Sequence, residues 1–193
     1  MTDTDKLKHV RTITQSPMNK VAEALKTSNG DVDKAIAWLI SQKAADATDI
    51  QKRSANSNAV FSYVHSGRIG AMIVLAAQTD FVLRNELFTE LAKNLCMHIV
   101  SAPNTPEFVS EASVPEATIK TWTQEFSADC SNKPVNIQVK IIEGKIKKRL
   151  ADVCLLNQPF VKDDQITVAE LIAKTSSTVG EKIEIKKFVR LSS

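Results

Sequence analysis

The chain has 193 residues, 43% hydrophobic and 24% charged, with a formal net charge of +3. That length suggests one or two domains, and the composition is that of a soluble globular protein. The charge argues against a nucleic-acid binder, which shows a stronger basic excess, and no apolar run reaches the roughly 18 residues that span a bilayer. Met1 to Asp5 is polar and acidic, without a secretory or transit pattern, so a cytoplasmic protein is expected.

Residues 5–43 read as three helices, within an N-terminal domain assigned to 1–43. Leu7 and Val10 mark the first. Met18, Val21, Ala24 and Leu25 mark the second, with Pro17 near its first turn, where a missing N–H is harmless. Gly30 suits the position after a helix and Asp31 an N-cap, and Val32, Ala35, Ile36 and Leu39 then recur with the helical period. Residues 44–57 are small and polar. They are expected to be a linker, with room for some helical character, and the second domain spans 58–193.

That domain opens with two strands, Asn58 to His65 and Ile69 to Ala77, joined by the short loop Ser66-Gly67-Arg68. The second strand is nearly all apolar and is expected to be central and covered on both faces. A helix from about Leu83 to Ser101 carries Leu83, Leu87, Leu91, Leu95 and Ile99, and Pro103 and Pro106 break the chain after it. Ser113 to Glu116 has capping-box spacing ahead of a helix burying Ile119, Trp122 and Phe126. Pro134 can open another, with Val135, Val139, Ile142, Ile146 and Leu150 as its stripe. Val153 to Leu156 reads as buried and extended, and Gln158 to Asp164 as a turn-rich loop. Thr167 to Glu170 is a second capping box, opening a helix to about Thr175. The tail, Lys182 to Leu191, alternates through Ile183, Ile185, Val189 and Leu191, with Lys187 out of phase. It closes the hairpin into a three-stranded antiparallel sheet backed by helices, an α+β class.

Few residues invite chemistry. Cys96, Cys130 and Cys154 lack zinc-site spacing and read as buried free thiols, so no metal and no cofactor is expected. Five glycines cannot supply a phosphate-cradling loop, so any action on a nucleotide must run through another protein. The basic run around Lys145, Lys147, Lys148 and Arg149 reads as a solvated helix face. An enzyme built on Cys96 with His98 or His65 lacks a base-and-orienter arrangement.

The junction Gln78 to Asn85 stands apart. A strand ending in Thr79-Asp80, followed at once by Phe81 and a helix, sets a carboxylate beside an aromatic ring where elements meet, and such junctions often carry function. Either Thr79 or Asp80 caps the helix while Phe81 tucks into the core, or Phe81 is offered to a partner.

Thr79-Asp80-Phe81-Val82 followed by Arg84-Asn85 resembles the signature of the elongation factor Ts family. The likeness covers nearly the whole chain: Asn29-Gly30-Asp31-Val32 in a ubiquitin-associated-like domain, Tyr63 to Gly70 in the hairpin, Leu91-Ala92-Lys93 with Met97-His98-Ile99, Gln158 to Asp164, and Val179-Gly180-Glu181. It departs at Thr14 to Lys20, where the family has Thr-Gly-Ala-Gly-Met-Met-Asp, and at Leu75-Ala76-Ala77, where the family is more polar.

The resemblance implies an exchange factor that binds elongation factor Tu, GDP-bound and nucleotide-free, and promotes GDP release. It implies that Thr79, Asp80, Phe81 and Val82 dislodge the partner's magnesium ion, that His65 touches its distal domain, and that Lys8, Arg11 and Met18 meet its GTPase domain. Val179 and Gly180 match a further contact loop, although on their own residues they also suit a plain turn. His65 taken without the resemblance reads first as a water-facing hairpin end. The length fits one core subdomain, so a symmetric homodimer is expected, with Asp80-Phe81 of one chain and His65 of the other on one partner. The alternative is a diverged member acting as a binding module without exchange.

Overall fold

The computed structural model describes residues 3–14, 16–130 and 134–193. They fall into two compact units, one ending at Arg53 and the other beginning at Ser54. The first holds α1 (Asp3–Thr14), α2 (Met18–Thr27) and α3 (Val32–Lys52). Pro17 presets the chain for α2, and its carbonyl accepts the Val21 N–H. The chain turns into α3 at Gly30, whose φ of +78° puts it in the left-handed region that glycine adopts without strain. The Asp31 carboxylate then accepts the Lys34 N–H at 3.1 Å, which holds its pKa below the ordinary carboxylate value. Val10, Val21, Ala24, Leu25, Ala35 and Leu39 form this unit's core.

The third helix outruns its sequence-based end, continuing to Lys52 through the stretch expected to be a linker. Extending an existing helix adds a hydrogen bond for each residue fixed, so an alanine-rich stretch follows readily. The Lys20–Asp46 ion pair, 2.9 Å, ties this extension back to α2.

In the second unit β1 (Ser57–His65), β2 (Ile69–Ala77) and β5 (Glu184–Ser192) form an antiparallel sheet with β2 in the middle. The hairpin turn places Ser66 and Gly67 at φ of +50° and +66°, the mirror-image turn that matches strand twist. The inner face, Ala71, Ile73 and Leu75, packs on Phe88, Leu95 and Ile99 of α5 (Glu86–Ser101). The helix expected from Leu83 is in fact two. A single turn, α4 (Asp80–Leu83), stops at Arg84, and Asn85 starts α5 by accepting the Leu87 N–H at 2.9 Å. Phe88 rather than Leu87 is therefore buried.

Two expectations for the sheet also change. Strand β2 is central, but the helices cover one face, as antiparallel sheets allow, and on the other only Ala76 is fully buried. That other face leaves Met72 exposed. In β5 a bulge beside Ile185 shifts the register, so Val74 pairs with Lys187 while Leu75 pairs with Ile185. One extra residue exchanges the faces. Phe188 joins the core, and Val189 and Leu191 face outward instead of aligning with Ile183 and Ile185.

Helices α6 (Glu116–Asp129) and α7 (Val135–Val153) follow, with Trp122, Val114, Val153 and Cys154 packed together. The capping box expected at Ser113–Glu116 does not form. Pro115 holds the cap position, and Ser113 closes on Ser110 within a 3-10 turn. Val135 and Val139, the start of the α7 stripe, are exposed. The loop expected at 158–164 is partly a two-stranded ribbon, β3 (Pro159–Phe160) with β4 (Asp163–Thr167). The Thr167–Glu170 box is present, and α8 (Val168–Val179) runs beyond Thr175 to end at Gly180, φ +77°.

Candidate functional site

The polypeptide leaves β2 at Ala77 and enters α4 through Gln78 and Thr79. Adjacent residues on a helix differ by about 100° in direction, so a single turn can send neighbours to opposite sides. Val82 goes inward, 8% exposed, into the sheet–helix core. Phe81 goes outward and is 89% exposed. Asp80 beside it is also exposed. The tucked-in alternative for Phe81 is thereby excluded, and an apolar ring stands in water next to a carboxylate.

Thr79 sits at the N-cap position of α4 yet makes no side-chain cap. Its hydroxyl donates instead to Glu181 Oε1 at 2.6 Å, and its N–H donates to Glu181 Oε2 at 2.9 Å. Glu181 follows Val179 and Gly180, so two segments 102 residues apart become one surface. The far segment is anchored as well. Val179 packs against the core, and the buried Ser176 hydroxyl accepts the Ile183 N–H at 3.1 Å. Glu181 belongs to the Val179-Gly180-Glu181 likeness, but its tie to Thr79 had no signal in the sequence, because pairing over such a separation leaves no local pattern.

His65 stands elsewhere. It ends β1 opposite Ile69, whereas the turn follows Ala77 at the other end of β2. At the usual rise per residue those ends are about 26 Å apart. The ring is exposed, and its Nδ1 lies 3.0 Å from the Tyr63 hydroxyl. Lys8, Arg11 and Met18 belong to the first unit, where all three are exposed. Lys8 and Arg11 line an open depression with Thr12, Ser16 and Pro17.

The buried titratable groups are fitted for structure. His98 is fully buried. Its Nδ1 accepts the Val161 N–H at 3.2 Å, which leaves Nε2 to donate to Gln158 Oε1 at 3.0 Å. Burial holds its pKa below the ordinary value. Burial also pushes the Cys96 and Cys154 thiols up to about 11, so they stay protonated and poorly nucleophilic. Among the described residues no group of His, Cys, Asp or Glu is placed to hold a metal ion, and no helix is long and apolar enough to cross a membrane.

A sequence profile described as Elongation factor TS matches residues 5–193. The Elongation factor Ts of Trichodesmium erythraeum (strain IMS101) is 39% identical over 187 residues, covering 95% of this chain and 85% of that protein. That of Rippkaea orientalis (strain PCC 8801 / RF-1) is 38% identical over 187 residues, 95% of this chain and 75% of the relative. That of Synechocystis sp. (strain ATCC 27184 / PCC 6803 / Kazusa) is 36% identical over 189 residues, 96% and 86%.

Proposed function

The chain belongs to the elongation factor Ts family of translation elongation factors, and from that membership we propose that it binds elongation factor Tu and promotes GDP release by disturbing the partner's magnesium and phosphate site. The observation that carries this reading is Phe81, almost fully in water on a turn that Val82 and Glu181 hold from two sides. Burying a Phe side chain contributes roughly 1.5–3 kcal/mol, so inserting the ring into the partner supplies energy to part packed side chains there. The Asp80 carboxylate arrives with it and competes for the hydrogen bonds of the metal's water shell. Linkage then applies in both directions: a surface that weakens nucleotide binding is itself bound less tightly when nucleotide is present. Val179 and Gly180 flank the same surface. Lys8, Arg11 and Met18 add contacts to the GTPase domain from the first unit. The protein works in the cytoplasm through protein contacts, without direct nucleic acid or membrane.

His65 cannot share a compact footprint with Phe81 on one chain, given the length of β2 between them. A symmetric homodimer resolves this by placing the turn of one copy and His65 of the other on one partner. The outer sheet face supports it, since Val60, Val64, Met72, Val189 and Leu191 are all exposed there. An apolar patch of this kind marks an interaction surface. Met72→Lys is expected to give a folded monomer by sedimentation at micromolar concentration; a variant still dimeric would assign the dimer to another face.

The direct test mixes the protein with elongation factor Tu loaded with fluorescent GDP. Accelerated release supports exchange, and release at the intrinsic rate would leave a binding module without exchange.

A further inference from the structure

We propose that Glu181 is a positioning residue of the exchange surface, a clamp that aims Phe81 by holding Thr79. The inference rests on the reading of Asp80-Phe81 given above.

Helix α4 has four residues, too few to be stable alone, since a short helix rarely recovers its nucleation cost. Its direction must be imposed from outside. Val82 in the core fixes one side. On the other, a threonine at the N-cap position ordinarily accepts an N–H from its own helix. Thr79 instead gives both of its donors to the two oxygens of one carboxylate, at 2.9 and 2.6 Å. A bidentate arrangement on a charged acceptor restricts geometry as well as adding energy. The carboxylate is itself placed by the left-handed Gly180 and by the Ser176–Ile183 bond. Two residues beyond Thr79, the backbone that carries the exposed ring is held in one direction. Ordering it before binding lowers the entropy cost of insertion.

A direct contact between Glu181 and elongation factor Tu would also reduce exchange when Glu181 is changed, so the test must separate the two. Glu181→Ala removes both acceptors, whereas a Gln amide could still bond the Thr79 hydroxyl by donating to it, and Thr79→Val removes the hydroxyl. Thr79→Val is expected to lower maximal acceleration of GDP release about fivefold, the size of one net hydrogen bond, and Glu181→Ala at least as much. The double variant should lose no more than the worse single, because both act through one clamp. Thr79→Ser, which keeps both donors, should recover most of what Thr79→Val loses. Losses that multiply in the double variant, or a Glu181→Ala protein as fast as the parent, would overturn the clamp. Phe81→Ala in the same assay separates the two claims. If it abolishes acceleration while Glu181→Ala leaves it at the parent rate, only the clamp falls; if it leaves acceleration intact, both fall.

Discussion

At one end of the β1–β2 hairpin the chain passes into a turn pinned by Val82 in the core and Thr79 on Glu181, with Phe81 projecting from it. At the other end His65 closes β1 opposite Ile69, beside the turn, and its ring Nδ1 lies 3.0 Å from the Tyr63 hydroxyl of the same strand. Both ends expose a ring, but on different supports. The first is held by a core side chain and a bidentate carboxylate, the second by backbone pairing of His65 with Ile69 and of Ile69 with Ser192. Under the proposed function, the first end is assigned to driving exchange and the second to holding the partner.

Neighbours within the turn offer the sharpest way to break that contrast. Val82→Ala should cost about 2 kcal/mol of folding stability, because it opens a void beside the core. Phe81→Ala should leave thermal unfolding almost unchanged. Equal destabilisation by the two would mean that the ring is packed and that contrast is wrong.

The buried and exposed histidines sharpen the contrast next. His98 must stay unprotonated at Nδ1 to accept the Val161 N–H, and burial keeps its pKa below 6.5. The unfolded chain thus binds the proton more readily, so this contribution is complete above about pH 6.5 and is lost as pH falls below it. The slope is at most about 1.4 kcal/mol per pH unit. Urea titrations between pH 7.5 and 5 should show the decline, and His98→Asn should flatten it. An unchanged slope in that variant would assign the effect to other groups.

A smaller effect is expected at the tip. His65→Ala should weaken binding to elongation factor Tu about fivefold, with maximal acceleration and stability retained, as for one lost hydrogen-bonding group. A loss in maximal rate instead would make the tip part of the driving apparatus.

Much of this arrangement is legible in the chain because local rules decide it. The Thr167–Glu170 box, Asp31 ahead of α3, and the glycine-bearing hairpin turn each need only neighbouring residues. The elements that differ are those fixed by distant contacts. The bulge in β5 depends on pairing with β2, so alternation alone put Val189 and Leu191 on the wrong face. The break at Asn85 splits a stripe of leucines that reads as one helix, because the cap competes locally with the periodicity. At the site, the Thr79–Phe81 junction stands out in sequence, but its exposure and its tie to Glu181 come from the fold. The 44–52 stretch is helical although its composition is that of a linker, since alanine and charged residues serve both.

The most direct measurement is the GDP release rate from elongation factor Tu at saturating exchange factor, compared between the parent protein and Phe81→Ala. With the ring as the inserted element, the variant should stay folded and bound yet lose roughly tenfold or more of the acceleration, the worth of one buried phenyl side chain. Acceleration undiminished at saturation would contradict a driving role for Phe81.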